Sequence, residues 1–493
     1  MAEQKSIKLN MVMNAILTMS QFIFPIITFP YVSRILLPAG TGRINFAASA
    51  VSYFAMFAQL GIPTYGVRAC AKVRDDKAKL SKTVHELMMI NIIMCVMVYI
   101  VFIASIFVVP RFNRDWKLFL ITGITIGLNA LGVEWLYRAL EKYTYITVRS
   151  VIFKAVGIVA MFMFVHKQED YLIYGAITVF AGAASNILNF INLRKYVSFG
   201  WLGNYQLKNY IKPVLIFFMM SVATTIYTNL DNVMLGFMKD DEAVGYYGAA
   251  VKIKNILVSL VTSASAVLLP RASYYVDKGL MEDFERILKK TMHLILLIAV
   301  PMMIYFMIYA AEGIYFLSGK EYGGSIVPMI IIMPTLTLIG MTNVIGIQML
   351  IPLGKEKEVL YSEIAGAIVD LILNAILIPR FAASGAAIGT LVAECVVLIY
   401  QLMSIKWEKI KLYYDIEWTK ILVANTISIF ACIWVKLIVF FDKLTLNSFV
   451  RIIISGICFF GVYGIGMLVM KETLVKELVD QIIGKFKSHK MHK

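Results

Sequence analysis

Runs of apolar residues long enough to cross a bilayer recur from one end of the chain to the other, and they exclude most folds. Approximate cores lie at 13–33, 44–67, 84–109, 118–138, 146–166, 171–193, 213–236, 246–269, 291–316, 326–352, 359–379, 384–403, 418–440 and 446–470. Each is near or above the roughly 17–25 residues that a helix needs to span the hydrocarbon. A membrane β-strand needs only about 9–11, so the segment lengths predict helices. Composition agrees: 60% of the 493 residues are apolar and 16% are charged, whereas soluble domains hold roughly 45–50% and 25%. The opening MAEQKSIKLN is a basic flank, but no small-x-small cleavage pattern follows, so the first run reads as a retained helix. The expected fold is an all-α polytopic membrane protein of about fourteen transmembrane helices.

Lysine and arginine set the orientation, because basic residues concentrate in cytoplasmic loops. With the N-terminus in the cytoplasm, 32 basic residues fall in cytoplasmic connections and 11 in the opposite ones. The formal charge of +16 is spread in short patches between apolar runs, which argues against a nucleic-acid partner. The five cysteines (Cys70, Cys95, Cys395, Cys432 and Cys458) show no CxxC spacing and read as free thiols, not as metal ligands.

Several helices carry polar stripes. In the first, Asn14, Thr18, Gln21, Pro25 and Thr28 recur at intervals of four and three, on one face. The seventh repeats this with Ser221, Thr224, Thr225, Thr228, Asp231 and Asn232, and the eighth with Lys252, Asn255, Ser259 and Thr262. Such stripes either bond helices together or line a wet cavity. Charges at membrane depth need a counter-charge, a cavity or the interface. Asp231 and Lys252 are placed to pair, while Lys254, Lys154 and Arg34 have no acid nearby in sequence. An excess of cations beside polar faces implies an anionic substrate, and Pro25 and Pro30 are expected to bend the first helix beside Arg34. Asp370 and Glu394, near the middles of the eleventh and twelfth helices, are candidates for proton or sodium coupling, or for hydrogen-bonded structural acids.

The chain contains no GxxxxGK[ST] loop and no HExxH, and its five histidines are scattered, so neither an ATP engine nor a metalloenzyme is expected. No cofactor is implied. A weak repeat relates PAGTGRINFAASA at 38–50 to DEAVGYYGAA at 241–250, with Gly42 aligned to Gly245 and Ala47 to Ala250. It suits two parallel bundles of six helices with substrate between them.

Three segments carry a specific resemblance: PYVSRILLPAGTG at 30–42, FAQLGIPTYGVRACAK at 57–72 and LDNVMLGFMKDDEAVGYYGAAVKI at 230–253. With them the whole chain resembles the polysaccharide transporters of the multidrug/oligosaccharidyl-lipid/polysaccharide exporter superfamily, the flippases of O-antigen and capsule repeat units. The resemblance implies two six-helix bundles, residues 1–200 and 201–411, forming a V around a central cavity, with residues 412–493 adding two helices and a basic cytoplasmic tail. It implies a multi-pass protein of the bacterial inner membrane that is no enzyme. Its implied substrate is an undecaprenyl-diphosphate-linked oligosaccharide, carried to the outer leaflet by alternating access. Membrane lipids, glycosyltransferases and a polysaccharide polymerase are the implied partners.

On that reading Arg34, Lys252 and Lys254 face the diphosphate, and Asn14, Gln21, Thr228, Asp231 and Asn255 complete the substrate site. Tyr31, Tyr53, Tyr227 and Tyr247 are available to stack on sugar rings. Two alternatives remain. A cation-coupled multidrug exporter would show acids in the first cavity, and a membrane-embedded polysaccharide polymerase would show a large soluble or periplasmic catalytic segment.

Overall fold

In the computed structural model, residues 7–200, 203–266, 269–405 and 416–477 are described. The flank MAEQKS, the 406–415 connection and most of the basic tail lie outside them. All regular structure among the described residues is helical. Ten helices are long and apolar enough to cross a membrane, or eleven if the bent pair Lys320–Ile332 and Thr335–Leu350 is one span.

That number is below the fourteen expected, for identifiable reasons. Helix α1 (Ile7–Gln59) runs through a break at Leu37, where φ is 58° and ψ 178°. A second long helix, Glu356–Ser404, runs through a break at Ala382, where φ is 47° and ψ −126°. Each therefore holds two helical segments within one of the ten. The helix Asp241–Ala266 is not among the ten; it opens on two acids and carries Lys252 and Lys254. The α1 break also corrects the expectation for Pro25 and Pro30, which lie inside continuous helix. Pro38 supplies the break: it has no N–H for the carbonyl of Arg34, and its ring disfavours helical geometry at Leu37.

The chain divides into two compact units, Met1–Gly248 and Ala249–Lys493. In the first, α1 is followed by α2 (Ile62–Ala71), α3 (Lys77–Val108), α4 (Pro110–Arg114), α5 (Trp116–Leu131), α6 (Glu134–Ala139) and α7 (Tyr143–Phe164). Then come α8 (Tyr171–Val179), a π-helical turn at Phe180–Ala184, α9 (Asn186–Asn192), α10 (Lys208–Met238) and the start of α11 (Asp241–Ala266). Helix α1 is the hub, packed against α3, α5, α7 and α10. Helix α3 starts where the Asp76 carboxylate accepts from the N–H groups of Ala78 and Lys79, at 3.0 and 3.1 Å. These bonds, that from Lys79 foremost, hold the Asp76 carboxyl below the ordinary carboxylate range.

Helix α5 ends at a turn in which Val133 takes a left-handed φ of 34°. Carbonyls released at a helix end need new donors inside a membrane. Asn91 Nδ2 donates to the Ala130 carbonyl at 3.1 Å, and Asn189 Nδ2 to the Gly132 carbonyl at 2.6 Å. Tyr137 and Trp135 on α6 pack with Ile62, Leu87 and Ile146 in the core beside this turn.

The second unit continues α11 and adds α12 (Leu269–Asp277), α13 (Met281–Ile308), α14 (Ala310–Leu317), α15 (Ile326–Ile332), α16 (Thr335–Thr342), α17 (Glu356–Ser404), α18 (Trp418–Ile433) and α19 (Leu444–Val469). The last two helices pair with each other and dock on α13 and α14. Tyrosines fix that contact: Tyr305 donates to the Ile452 carbonyl at 2.8 Å, Tyr309 to Cys432 at 2.6 Å and Tyr463 to Leu297 at 3.0 Å. In the membrane, where apolar contact with lipid is no worse than with protein, such bonds and close packing hold helices together.

Candidate functional site

A cavity of about 610 Å³ opens within the first unit, a volume suited to a small-molecule or sugar ligand. Its walls are α1 after the break, the start of α2, α5, the end of α8 with the π turn, and α10. Polar groups come from Ser52 and Gln59, Thr122, Thr125 and Asn129, Thr178, and Ser221, Thr225 and Asn229. No side chain in the described lining carries a charge. The π turn contributes Gly182 and Ala183, small residues on a widened stretch of helix.

Local bonding determines what these groups offer a ligand. Ser52 donates to Ser49 O, Thr122 to Leu118 O, Thr125 to Thr122 O, Thr178 to Gly175 O and Ser221 to Phe217 O, at 2.6–3.1 Å. Each hydroxyl thus spends its proton on its own helix and keeps lone pairs as acceptors. Asn229 does likewise, its Nδ2 donating to Thr225 O at 3.2 Å and to Thr228 Oγ1 at 2.9 Å. The wall is acceptor-rich and uncharged, and it matches the donors of a polyhydroxylated molecule.

Of the stripe residues, Ser221 and Thr225 reach this lining, and Thr228 touches it through Asn229. Asn14, Gln21, Arg34, Lys252, Lys254, Asp231 and Asn255 are not in it. Asn14, Gln21, Arg34, Thr228 and Asn255 are exposed, Lys252 and Lys254 partly buried. Asp231 is buried and accepts from Tyr247, and Arg34 donates to the Pro30 carbonyl. Tyr31 donates to the Val165 carbonyl at 2.9 Å, so its hydroxyl is committed to packing. Lys154 donates to Ser20 Oγ at 2.8 Å, a partner that its sequence neighbourhood did not show.

In the second unit Asp370 and Glu394 are both buried on α17. Asp370 and Asn374 press on Gly389 of the same helix beyond its break; a Cβ there would lie 2.8 Å from Asp370 Oδ1. The cavity residues that the sequence reading missed had a usable signal in periodicity: Thr122, Thr125 and Asn129 recur at intervals of three and four. Ser52 and Gln59 continue a stripe with Asn45 and Ser49, at intervals of four, three and seven, while Thr178 is isolated in its helix.

Comparison with known proteins agrees with this architecture. The family model described as "Polysaccharide biosynthesis protein" matches residues 7–276, and the MatE model matches residues 217–376. An Escherichia coli (strain K12) protein provisionally named an O-antigen transporter is 26% identical over 410 residues, covering 82% of this chain and 98% of its own. A Shigella dysenteriae protein of the same name is 25% identical over 401 residues, covering 78% and 97%. Among solved structures, the lipid II flippase MurJ in an inward closed conformation superposes with a TM-score of 0.65 at 16% identity, over 91% of this chain and 100% of that one. An inward-facing multidrug resistance MATE transporter gives 0.61 at 15%, over 80% and 98%. The chain is a multi-pass membrane protein of the polysaccharide biosynthesis protein family, the transporters, not enzymes, that form the polysaccharide branch of the multidrug/oligosaccharidyl-lipid/polysaccharide exporter superfamily.

Proposed function

We propose that this protein is a flippase that moves an undecaprenyl-diphosphate-linked oligosaccharide from the cytoplasmic to the outer leaflet of the bacterial inner membrane, for capsule, O-antigen or a related surface polysaccharide. The observation that carries the reading is the cavity wall, whose polar groups are hydroxyls and amides without a charge. A glycan fits such a wall; a lipophilic cation would want an acid there. The prenyl tail stays in lipid throughout.

On this reading both termini face the cytoplasm, as the 32 to 11 bias of basic residues supports. The bundles 1–200 and 201–411 alternate access to the site, with 412–493 appended. Arg34, Lys252 and Lys254 receive the diphosphate, since charge-assisted bonds to phosphate offset the cost of cations at membrane depth. Glycosyltransferases supply the substrate and a polymerase consumes it.

Purified protein in vesicles, supplied with an undecaprenyl-diphosphate-linked sugar, tests this. Translocation is expected from the parent. The triple variant Arg34→Ala, Lys252→Ala, Lys254→Ala should lose it by about tenfold or more, each lost charge-assisted bond being worth roughly 1.5–3 kcal/mol. Parent-like transport by the triple variant would remove those cations from the site. Export of a lipophilic cation with no lipid-linked sugar moved would replace the flippase by the multidrug exporter.

The same vesicles test a second part of the proposal, that Asp370 and Glu394 couple transport to protons or sodium. Asp370→Asn and Glu394→Gln are expected to blunt the response to an imposed proton or sodium gradient while leaving the protein folded. An unchanged response in both variants would make these acids structural.

A further inference from the structure

Behind the cavity wall a buried arginine is joined to a lining amide through a second amide. Arg149 on α7 is 5% exposed. Its Nη2 donates to Glu134 Oε2 at 3.1 Å, and its Nη1 to the Ser185 carbonyl at 2.7 Å and to Asn186 Oδ1 at 3.3 Å. Asn186 Nδ2 then donates to Asn129 Oδ1 at 3.1 Å, and Asn129 lines the cavity. Gly132 leaves room for this chain of contacts: a Cβ there would lie 2.6 Å from Asn186 Cγ.

The order of donors along this chain is forced. A carboxamide can face either way, but a guanidinium has only donors, so Asn186 must turn its oxygen to Arg149. That leaves Nδ2 as the end toward Asn129, which must answer with its own oxygen. The end of Asn129 that remains for the cavity is its NH₂. Glu134 accepts from both Arg149 and Arg138, and what Arg149 passes along the chain is the orientation of the two amides. The result is a fixed donor in a wall whose hydroxyls act as acceptors.

We propose that Arg149 and Asn186 are positioning residues that hold the Asn129 carboxamide with Nδ2 toward the cavity, as the donor to the carbonyl oxygen of an acylamino group on the transported glycan, which can accept but not donate. The proposal rests on the flippase reading and deepens it by assigning the cavity to the sugar portion of the substrate.

The test reverses the amide without changing a lining residue. Asn186→Asp keeps one oxygen on Arg149 but offers a second to Asn129, which must turn over to donate into it and so shows its oxygen to the cavity. Binding is measured on the full chain in nanodiscs of phosphatidylethanolamine and phosphatidylglycerol. The probes are undecaprenyl-diphosphate-linked N-acetylglucosamine and undecaprenyl diphosphate alone. Asn186→Asp is expected to weaken the sugar-bearing probe about tenfold, the effect of one good hydrogen bond replaced by two opposed acceptors. Affinity for undecaprenyl diphosphate alone and the thermal midpoint should stay as in the parent. Asn129→Asp should give a similar loss, and the double variant little more.

Parent-like binding of the sugar-bearing probe by Asn186→Asp overturns the relay, and so does an equal loss for both probes or a fallen midpoint, which would mark a structural role. A parent that binds neither lipid but binds a lipophilic cation overturns the flippase reading itself, and with it any acceptor oxygen for Asn129 to hold.

Discussion

Gly42→Ala and Gly245→Ala are each expected to destabilise the protein by about 3 kcal/mol, at the upper end of what overpacking costs. A Cβ on Gly42 would lie 2.7 Å from the Asp241 carbonyl carbon and 2.9 Å from Gly245 N, and nearest of all to the Asp241 oxygen. A Cβ on Gly245 would lie 2.7 Å from the Pro38 carbonyl carbon. These obstacles are backbone, so the helices themselves would have to part. The contact is reciprocal: one offset, 245 minus 42 or 203 residues, carries Gly42 to Gly245, Pro38 to Asp241 and Asn45 to Gly248, and these are the residues that meet. Corresponding positions of the weak sequence repeat thus face each other where α1 meets the start of α11.

Gly464→Ala is the control, since nothing lies within 4 Å of a Cβ there. Thermal midpoints in detergent and yields from the membrane would be compared. The two glycine variants should fall together, and their combination should cost less than the sum because they share one contact. If both behave like Gly464→Ala, the two backbones do not meet at van der Waals distance.

Asp241→Asn is expected to cost roughly 2–3 kcal/mol, a buried ion pair's 3–5 discounted for the partners that share water. Asp241 sits at the head of α11 and gathers three guanidiniums: Arg43 Nε lies 3.3 Å away, and Arg111 and Arg114 also pair with it. Asp115 meets the same three arginines at 3.7, 3.4 and 3.3 Å. Side-chain exposure ranks their contributions: Asp241 9%, Arg111 14%, Arg43 35% and Arg114 50%. Arg111 is further held by its bond to the Gly236 carbonyl at 2.8 Å and by the Phe46 ring 4.5 Å beneath it.

Arg111→Met should therefore cost about as much as Asp241→Asn, and Arg114→Met less than about 1 kcal/mol. A double-mutant cycle between Asp241→Asn and Arg111→Met should leave a coupling of at least about 1 kcal/mol. Additive losses, or an Asp241→Asn variant no worse than Arg114→Met, would show that water and salt already screen the cluster.

Hydropathy and segment length determined the class of this protein, because the need to satisfy every backbone group in lipid leaves a long apolar run only one structure to adopt. The narrow gap between the runs 359–379 and 384–403 is a break at Ala382, and the glycines matched at 42 and 245 are the two that touch. Local chemistry reached no further. The kink belongs to Leu37 and Pro38, because helix that continues through Pro25 and Pro30 depends on the neighbours packed around it. RFNRD at 111–115 and KDDEAVG at 239–245 lie between apolar runs, yet their charges meet across 130 and 127 residues. Arg149 stands near the start of the 146–166 run with no acid beside it in sequence, and is buried against Glu134 and Asn186. The cavity wall draws on α1, α5, α8 and α10, and most of its polar side chains lie off the stripes. A stripe shows that a helix has a polar face. Which face meets which neighbour is set by packing between segments far apart in the chain, and only the tertiary structure decides that.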